Sequence, residues 1–215
     1  MNETLVLKPD NFLFPEKEMK PLIKSTSYSQ DSILQSIIHL HIPSGKIDCD
    51  PCYRTGGFYK SGKILAPEKI SDINPIHGIP VHDCRCLPYR NHSVKSIIFD
   101  PPFITYAGKN GYHHMRKYGS FRNKTELMEM YYCSFKEFNL ILEEDGILIV
   151  KCQDGTYGPD LFLSHVDAVI LPCRKLGFKE IDFFILLSKG RPERRDCIQR
   201  HARKYHSYFI VFKKI

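Results

Sequence analysis

The sequence contains no apolar run of the roughly 18–20 residues that a helix needs to cross a bilayer. Its start, Met1-Asn2-Glu3-Thr4, lacks a basic segment followed by an apolar stretch, so no secretion signal is read there. No internal repeat and no low-complexity tract interrupts it, which leaves no repeat array or disordered linker to consider. No Ser-His-Asp set and no phosphate-loop pattern stands out, so hydrolytic triads and nucleotide-loop enzymes have no support. Eight cysteines without a secretion signal point to a reducing, intracellular setting.

What is present suits one folded domain. The chain has 215 residues, 42% of them apolar and 12% aromatic, which is globular composition and too short for two full domains. The net charge of +7 is unevenly placed. Residues 104–124 carry five Lys/Arg and no acid, and residues 189–215 carry nine Lys/Arg against Glu193 and Asp196, so the remainder is slightly acidic. Two basic patches on an acidic body suggest a polyanionic partner; solvated charged faces are the plainer alternative.

Residues 1–26 show little periodicity and read as an N-terminal arm, leaving 27–215 as a single domain. Ile33, Leu34, Ile37, Ile38 and Leu40 give residues 29–42 a helical face. Short strands are expected over 46–50 and in segments ending at Asp72 and Asp83, and an apolar one over 96–99. Thr125 is positioned to cap a long helix bearing Leu127, Met130, Tyr131, Phe138, Ile141 and Leu142, which Asp145-Gly146 should end. A buried-type strand over 146–150 comes next, then a helix over 161–176 kinked by Pro172, then strands over 181–187 and 207–212. Strands alternating with helices imply an α/β sheet covered on both faces, with its ligand at the carboxyl ends of the strands. Asp50, Asp72, Asp83 and Asp100 all fall at such ends.

Asp100-Pro101-Pro102-Phe103 follows the apolar strand directly. The prolines stiffen the backbone and remove two N–H donors. An acceptor side chain on Asp100 and the carbonyl of Pro101 remain, and together they can hold both hydrogens of an –NH₂ group while Phe103 stacks on a flat ring. A base amino group is a weak nucleophile because its lone pair is delocalised into the ring; accepting its hydrogens frees that pair. Taken alone, the tetrapeptide could equally be a loop-initiating turn.

In its context this tetrapeptide resembles the D/N/S-P-P-Y/F/W motif of the S-adenosylmethionine-dependent amino methyltransferases of nucleic acids. Upstream, the segment from Asp48 to Tyr59 resembles that family's D-P-x-x-G-x-G-like cofactor loop, with Thr55-Gly56-Gly57-Phe58 in place of the usual G-x-G. Asp72 lies where the family places an acid for the ribose hydroxyls, and Asp83 matches the acid that accepts from the adenine amino group. The resemblance spans roughly residues 46–215. It implies a Rossmann-like methyltransferase fold, a mostly parallel seven-stranded sheet with helices on both faces. It implies S-adenosyl-L-methionine as cofactor, held by Asp50, Pro51, Cys52, Gly56, Gly57, Phe58, Asp72, Asp83 and Cys84, with Asp100, Pro101, Pro102 and Phe103 catalytic.

The cofactor loop precedes Asp100 by about 50 residues, which leaves no room for a separate target-recognition domain. Recognition then falls on the basic segments or on a partner, whether a second copy of the chain or a specificity subunit. The candidate nucleic-acid contacts are Tyr106, Tyr112, His113, Arg116, Lys117, Tyr118, Phe121 and Arg122, whose alternation of aromatic and basic residues suits base stacking and phosphate contact, together with Arg194, Arg195 and Arg203. A base within a duplex must be flipped out to reach Asp100. Cys49-x-x-Cys52 and Cys84-x-Cys86 could suggest zinc, but the second pair is tight and both lie in cofactor segments, so no metal is expected. Aspartate rather than serine at the first motif position leans toward adenine N6 over cytosine N4, and DNA is favoured over RNA as substrate. An RNA amino-methyltransferase and a non-catalytic nucleic-acid-binding subunit of the same fold are the alternatives.

Overall fold

The computed structural model describes residues 22–103, 121–157, 159–190 and 201–215. Its centre is a sheet of seven strands: β1 (Thr26–Ser27), β2 (Cys49–Asp50), β3 (Lys69–Ile70), β4 (Val94–Phe99), β5 (Leu142–Cys152), β8 (Phe178–Leu187) and β9 (His206–Lys214). Two further strands, β6 (Gly155–Tyr157) and β7 (Asp160–Phe162), form a separate hairpin. The order across the sheet is β1-β8-β9-β5-β4-β2-β3. Every neighbouring pair is parallel except those made by β9, which runs antiparallel to both β5 and β8. This is the Rossmann-like α/β class expected from the sequence.

Helices cover both faces. On one face, α1 (Gln30–His41) buries Ile33, Leu34 and Ile37 against Ile98, Ile147, Ile149, Phe209 and Val211. On the other, α2 (Lys124–Ile141) buries Leu127, Tyr131, Phe135 and Phe138 against Ile97, Phe99, Leu148 and Val150. Successive strand residues alternate between these cores, so β4 and β5 are apolar at nearly every position. Phe99 anchors the second core, with its ring edge-on to Tyr131, Phe135 and Phe138 at centroid distances of 5.7, 6.0 and 4.9 Å.

Several boundaries differ from the sequence reading, each for a local reason. The N-cap of α2 is Asn123 rather than Thr125: its side chain accepts from the Glu126 N–H at 2.8 Å, and the Glu126 carboxylate reaches back to the Arg122 N–H at 2.7 Å. The helix ends at Ile141, ahead of Asp145-Gly146, because β5 pairing begins at once at Leu142. Residues 143–146 then bulge between Leu142 and Ile147, with Asp145 at φ 62°. A Cβ at position 146 would lie 2.7 Å from the Glu143 carbonyl oxygen, so only glycine fits there.

The single kinked helix expected over 161–176 is three elements: the end of β7, a π-helical turn at His165–Ile170, and the short helix α3 (Leu171–Lys175). Pro172 opens α3; it cannot donate to the Ala168 carbonyl, and the wider i→i+5 turn ahead of it absorbs that loss. The seventh strand is Thr26–Ser27, at the junction of the expected arm and domain, and not a strand ending at Asp83. Asp83 makes only an isolated bridge with Cys86, because Arg85 folds its chain back onto the carboxylate.

Candidate active site

In chain order, β3 is added on one side of β2 and β4 on the other, so the sheet reverses direction between β2 and β4. In open α/β sheets a crevice forms at that reversal, outside the carboxyl ends of the strands. Asp50-Pro51 leaves β2 there and Asp100-Pro101-Pro102 leaves β4 there, with Ser71-Asp72 following β3 alongside.

Asp50 is buried and turned inward. Its Oδ1 accepts from the Cys52 N–H at 3.0 Å and its Oδ2 from the Tyr59 hydroxyl at 2.9 Å. Burial raises its carboxyl to about 7, against the lowering effect of those bonds. It therefore shapes the loop more than it faces a ligand. The loop continues as consecutive turns, Gly56 N–H to the Tyr53 carbonyl and Tyr59 N–H to the Gly56 carbonyl. Gly56 has φ 66°, and a Cβ on it would meet the Tyr53 hydroxyl at 2.6 Å. Gly57 is exposed and faces open space, whereas Phe58 is buried against Phe209 in the α1 core.

Asp72 is 7% exposed. Its Oδ1 accepts from the Asn74 backbone and side chain at 2.8 and 3.1 Å, and no described residue donates to its Oδ2. Asp83 is clamped instead: the Arg85 guanidinium bonds both of its oxygens, at 2.6–3.0 Å, and holds its carboxyl below the usual range. Cys84 packs against the α2 core and lies 3.3 Å from the Ser134 hydroxyl; its thiol is lowered, first by hydrogen bonding with Cys52.

Asp100 is met by a residue that the sequence reading did not single out. Lys151, at the end of β5, donates to Asp100 Oδ2 at 3.0 Å and to Gln30 Oε1 of α1 at 3.1 Å. Its ammonium also lies 5.1 Å from the Phe58 ring centre and 5.7 Å from that of Phe209. A lysine closing an apolar strand carries no motif, so only the β4–β5 register, Phe99 beside Val150, reveals the pair. Pro101 is buried, Pro102 and Phe103 are half-buried, and no described donor meets the Pro101 carbonyl.

Two polar atoms near this crevice are buried without a partner, Ser71 Oγ and the Tyr131 hydroxyl. Ser71 joins the β2 and β3 ends through its backbone, donating to the Asp50 carbonyl and accepting from Tyr53. Burial pushes the Tyr131 phenol up, and the nearby Asp100 carboxylate acts in the same direction. Buried polar atoms without protein partners mark places for a polar ligand or water.

Of the candidate nucleic-acid residues, Phe121 packs on the α2 core, Arg122 is exposed and Arg203 is half-buried. Tyr106, Tyr112, His113, Arg116, Lys117, Tyr118, Arg194 and Arg195 lie outside the described residues. Lys213 and Lys214 belong to β9 at the opposite end of the sheet, paired with Asp145 and Glu144, and leave the basic patch. Among the described residues no group of three or more His, Cys, Asp or Glu side chains is placed to hold a metal ion. Two cavities, of about 440 and 380 Å³, also lie at that opposite end, lined by Ile42 and Ile64 and by Asp48 and Lys95 respectively. Among the described residues no helix is long and apolar enough to cross a membrane.

No protein-family model and no curated protein matches the sequence. Solved structures resemble it in part. A putative DNA modification methylase of Thermus thermophilus, complexed with S-adenosyl-L-methionine, is 20% identical over 62% of this chain and 54% of its own, with a TM-score of 0.43. The PvuII cytosine-N4-specific DNA methyltransferase is 15% identical over 63% and 48%, with a TM-score of 0.44. A SAM-dependent methyltransferase of Thermotoga maritima is 15% identical over 79% and 82%, with a TM-score of 0.47. The chain thus spans about half the length of the first two, and its fold class rests on its own strand order.

Proposed function

We propose that this chain is an S-adenosylmethionine-dependent methyltransferase acting on the exocyclic amino group of a nucleic-acid base. The observation that carries the reading is the crevice between β2 and β4, with the Asp100-Pro101-Pro102-Phe103 segment on one wall and the glycine-containing loop after Asp50 on the other.

The residues on the cofactor side fit the group. Asp72 has a carboxylate oxygen free for a ribose hydroxyl, Ser71 Oγ is an unpartnered polar atom beside it, and Gly57 leaves room for close backbone approach. Asp83 keeps lone pairs for an adenine amino group only on the side that Arg85 leaves open. The cofactor supplies an electrophilic methyl on a sulfonium, whose C–S electron pair stays with sulfur as the new N–C bond forms. The chain's own residues bind and orient. Asp100, with Oδ2 occupied by Lys151, offers Oδ1 to one amino hydrogen, and the Pro101 carbonyl offers itself to the other. Phe103 is available to stack on the base. Aspartate at the motif's first position favours adenine N6, and DNA is the favoured polymer.

Transfer of labelled methyl to DNA and RNA, followed by identification of the modified nucleoside, tests the reading. Wild-type protein is expected to label adenine N6, and Asp100→Ala to abolish labelling while S-adenosylmethionine binding stays near wild type. Undiminished labelling in the Asp100→Ala protein would sink the mechanism.

A further inference from the structure

An amino group that gains a methyl must lose a proton, and Asp100 is badly placed to keep it. Protonating that carboxylate would break its 3.0 Å ion pair and leave the Lys151 ammonium, whose side chain is only 16% exposed, without its counter-charge. A second cluster stands at the same end of β5, three residues beyond Lys151. Asp154, 5% exposed, accepts at Oδ1 from the His165 ring Nδ1 at 2.8 Å and from the His165 backbone N–H at 3.2 Å. At Oδ2 it accepts from the Tyr208 hydroxyl at 3.1 Å. That hydroxyl's only hydrogen is thereby used, so the His206 Nε2 contact to it, at 2.8 Å, is a donation from histidine.

Asp154 accepts only, so the hydrogen of the neutral His165 ring sits on Nδ1 and the Nε2 lone pair is bare. No described residue is bonded to that Nε2, and the side chain is 20% exposed. The ring is held between Tyr208, at a centroid distance of 4.6 Å, and Phe183, at 6.3 Å, at the first residue of the π-helical turn. Cys152 lies between the two clusters on β5, where burial first, and then the charges of Asp154 and Asp100, push its thiol up. An imidazole of fixed tautomer, backed by a buried carboxylate and open at its other nitrogen, is built to take a proton.

We infer that His165, oriented by Asp154, is the base that removes the amino proton during methyl transfer. The inference rests on the proposed methyltransferase reading. The proton leaves the newly methylated nitrogen, whose N–H pair returns to nitrogen, and joins the Nε2 lone pair; from the imidazolium it passes to solvent. Nothing in the step is oxidised or reduced.

Two measurements test this. Long-range ¹H–¹⁵N spectra of the protein alone should show neutral His165 protonated at Nδ1; a proton on Nε2 overturns the assignment whatever the activity. In the methyl-transfer assay, His165→Gln should lower kcat by about 10²-fold or more at unchanged thermal midpoint and unchanged affinity for cofactor and nucleic acid. Millimolar imidazole should restore part of that kcat, which a purely structural histidine would not allow. Unchanged kcat, or a folded variant that imidazole does not rescue, overturns the role. Should His165→Gln unfold, Asp154→Asn carries the same test, with kcat expected to fall at unchanged affinities and undiminished kcat overturning it. A wild-type protein that methylates no nucleic acid overturns the proposed function and this step together; an active wild type with an equally active His165→Gln overturns this step alone.

Discussion

Lys151 and Asp100 form a 3.0 Å ion pair across β5 and β4, and Gln30 of α1 holds the same ammonium at 3.1 Å. In the proposed site the lysine fixes which carboxylate oxygen of Asp100 is left for a substrate. Lys151→Met keeps the aliphatic stem against Phe58 and Phe209 and removes the charge with its hydrogen bonds to Asp100 and Gln30. Turnover should fall by roughly 10², the effect of a small misplacement of a reacting group. Cofactor affinity should stay unchanged, since the lysine touches no proposed cofactor ligand other than the Phe58 ring, whose packing the methionine preserves. Single-turnover methyl transfer separates the two; wild-type turnover in the methionine variant would remove Lys151 from the site.

Asp72 and Asp83 carry the same assigned chemistry but unequal geometry. Asp72 has a free oxygen, so Asp72→Ala should cost about ten- to hundredfold in S-adenosylmethionine affinity, the loss of a charge-assisted hydrogen bond. Asp83 is already bonded through both oxygens to Arg85, so Asp83→Ala should cost less than Asp72→Ala. Calorimetry decides, and a larger loss at Asp83 would mean that Arg85 lets go when the ligand arrives.

Asp50 makes stability depend on pH. Its carboxyl ionises near 7 in the folded chain and at an ordinary low value in the unfolded one, mainly because burial penalises the charge. Between about pH 4 and 7 the unfolded state therefore releases a proton that the folded state keeps, and stability falls as pH rises, by up to about 1.4 kcal/mol per unit. Above pH 7 both states are ionised and the loss levels off. Asp50→Asn keeps an oxygen for the Cys52 N–H and removes the charge. Its thermal midpoint should lose that slope and exceed that of wild type at pH 8. Parallel profiles for the two proteins would show that Asp50 is not the group responsible.

Long elements were legible because periodicity and burial act locally: α1, α2, β4, β5, β8 and β9 all coincide with apolar patterns in the chain. The two-residue strands β2 and β3 were visible only through the aspartates and prolines at their carboxyl ends. β1 was not visible, since Thr26–Ser27 has no pattern of its own and is recruited by pairing with Ile185 and Leu186. The place of Asp100 at the carboxyl end of β4 was legible from the apolar run before it. Its partner Lys151 is 51 residues away, and Tyr208 is 54 residues from Asp154, so those networks exist only once the sheet is assembled. The exchange of a plain helix for a π-helical turn followed the same logic: Pro172 signals a break, but the geometry of the repair depends on its neighbours.

Removing Lys213 and Lys214, which pair at the far end of the sheet, leaves seven Lys/Arg against two acids in residues 189–204, and five against none in 104–124. The segment 104–124 follows Phe103 of the proposed catalytic motif directly. The segment 189–204 precedes β9, whose opening residue His206 sits beside Tyr208 at the same end as Asp154. If Arg116, Lys117, Arg122, Arg194, Arg195 and Arg203 each neutralise one phosphate, binding to duplex DNA should fall with a log–log salt slope of about −5, and more gently on single strands. Neutralising any one should flatten the slope by about one unit and leave the methylated base unchanged, because phosphate contacts position without reading sequence. Lys213→Gln, drawn from the same basic stretch but outside the patch, should leave the slope as it was. Equal binding after all six charges are removed would assign recognition to a partner protein and make the patches solvated surface.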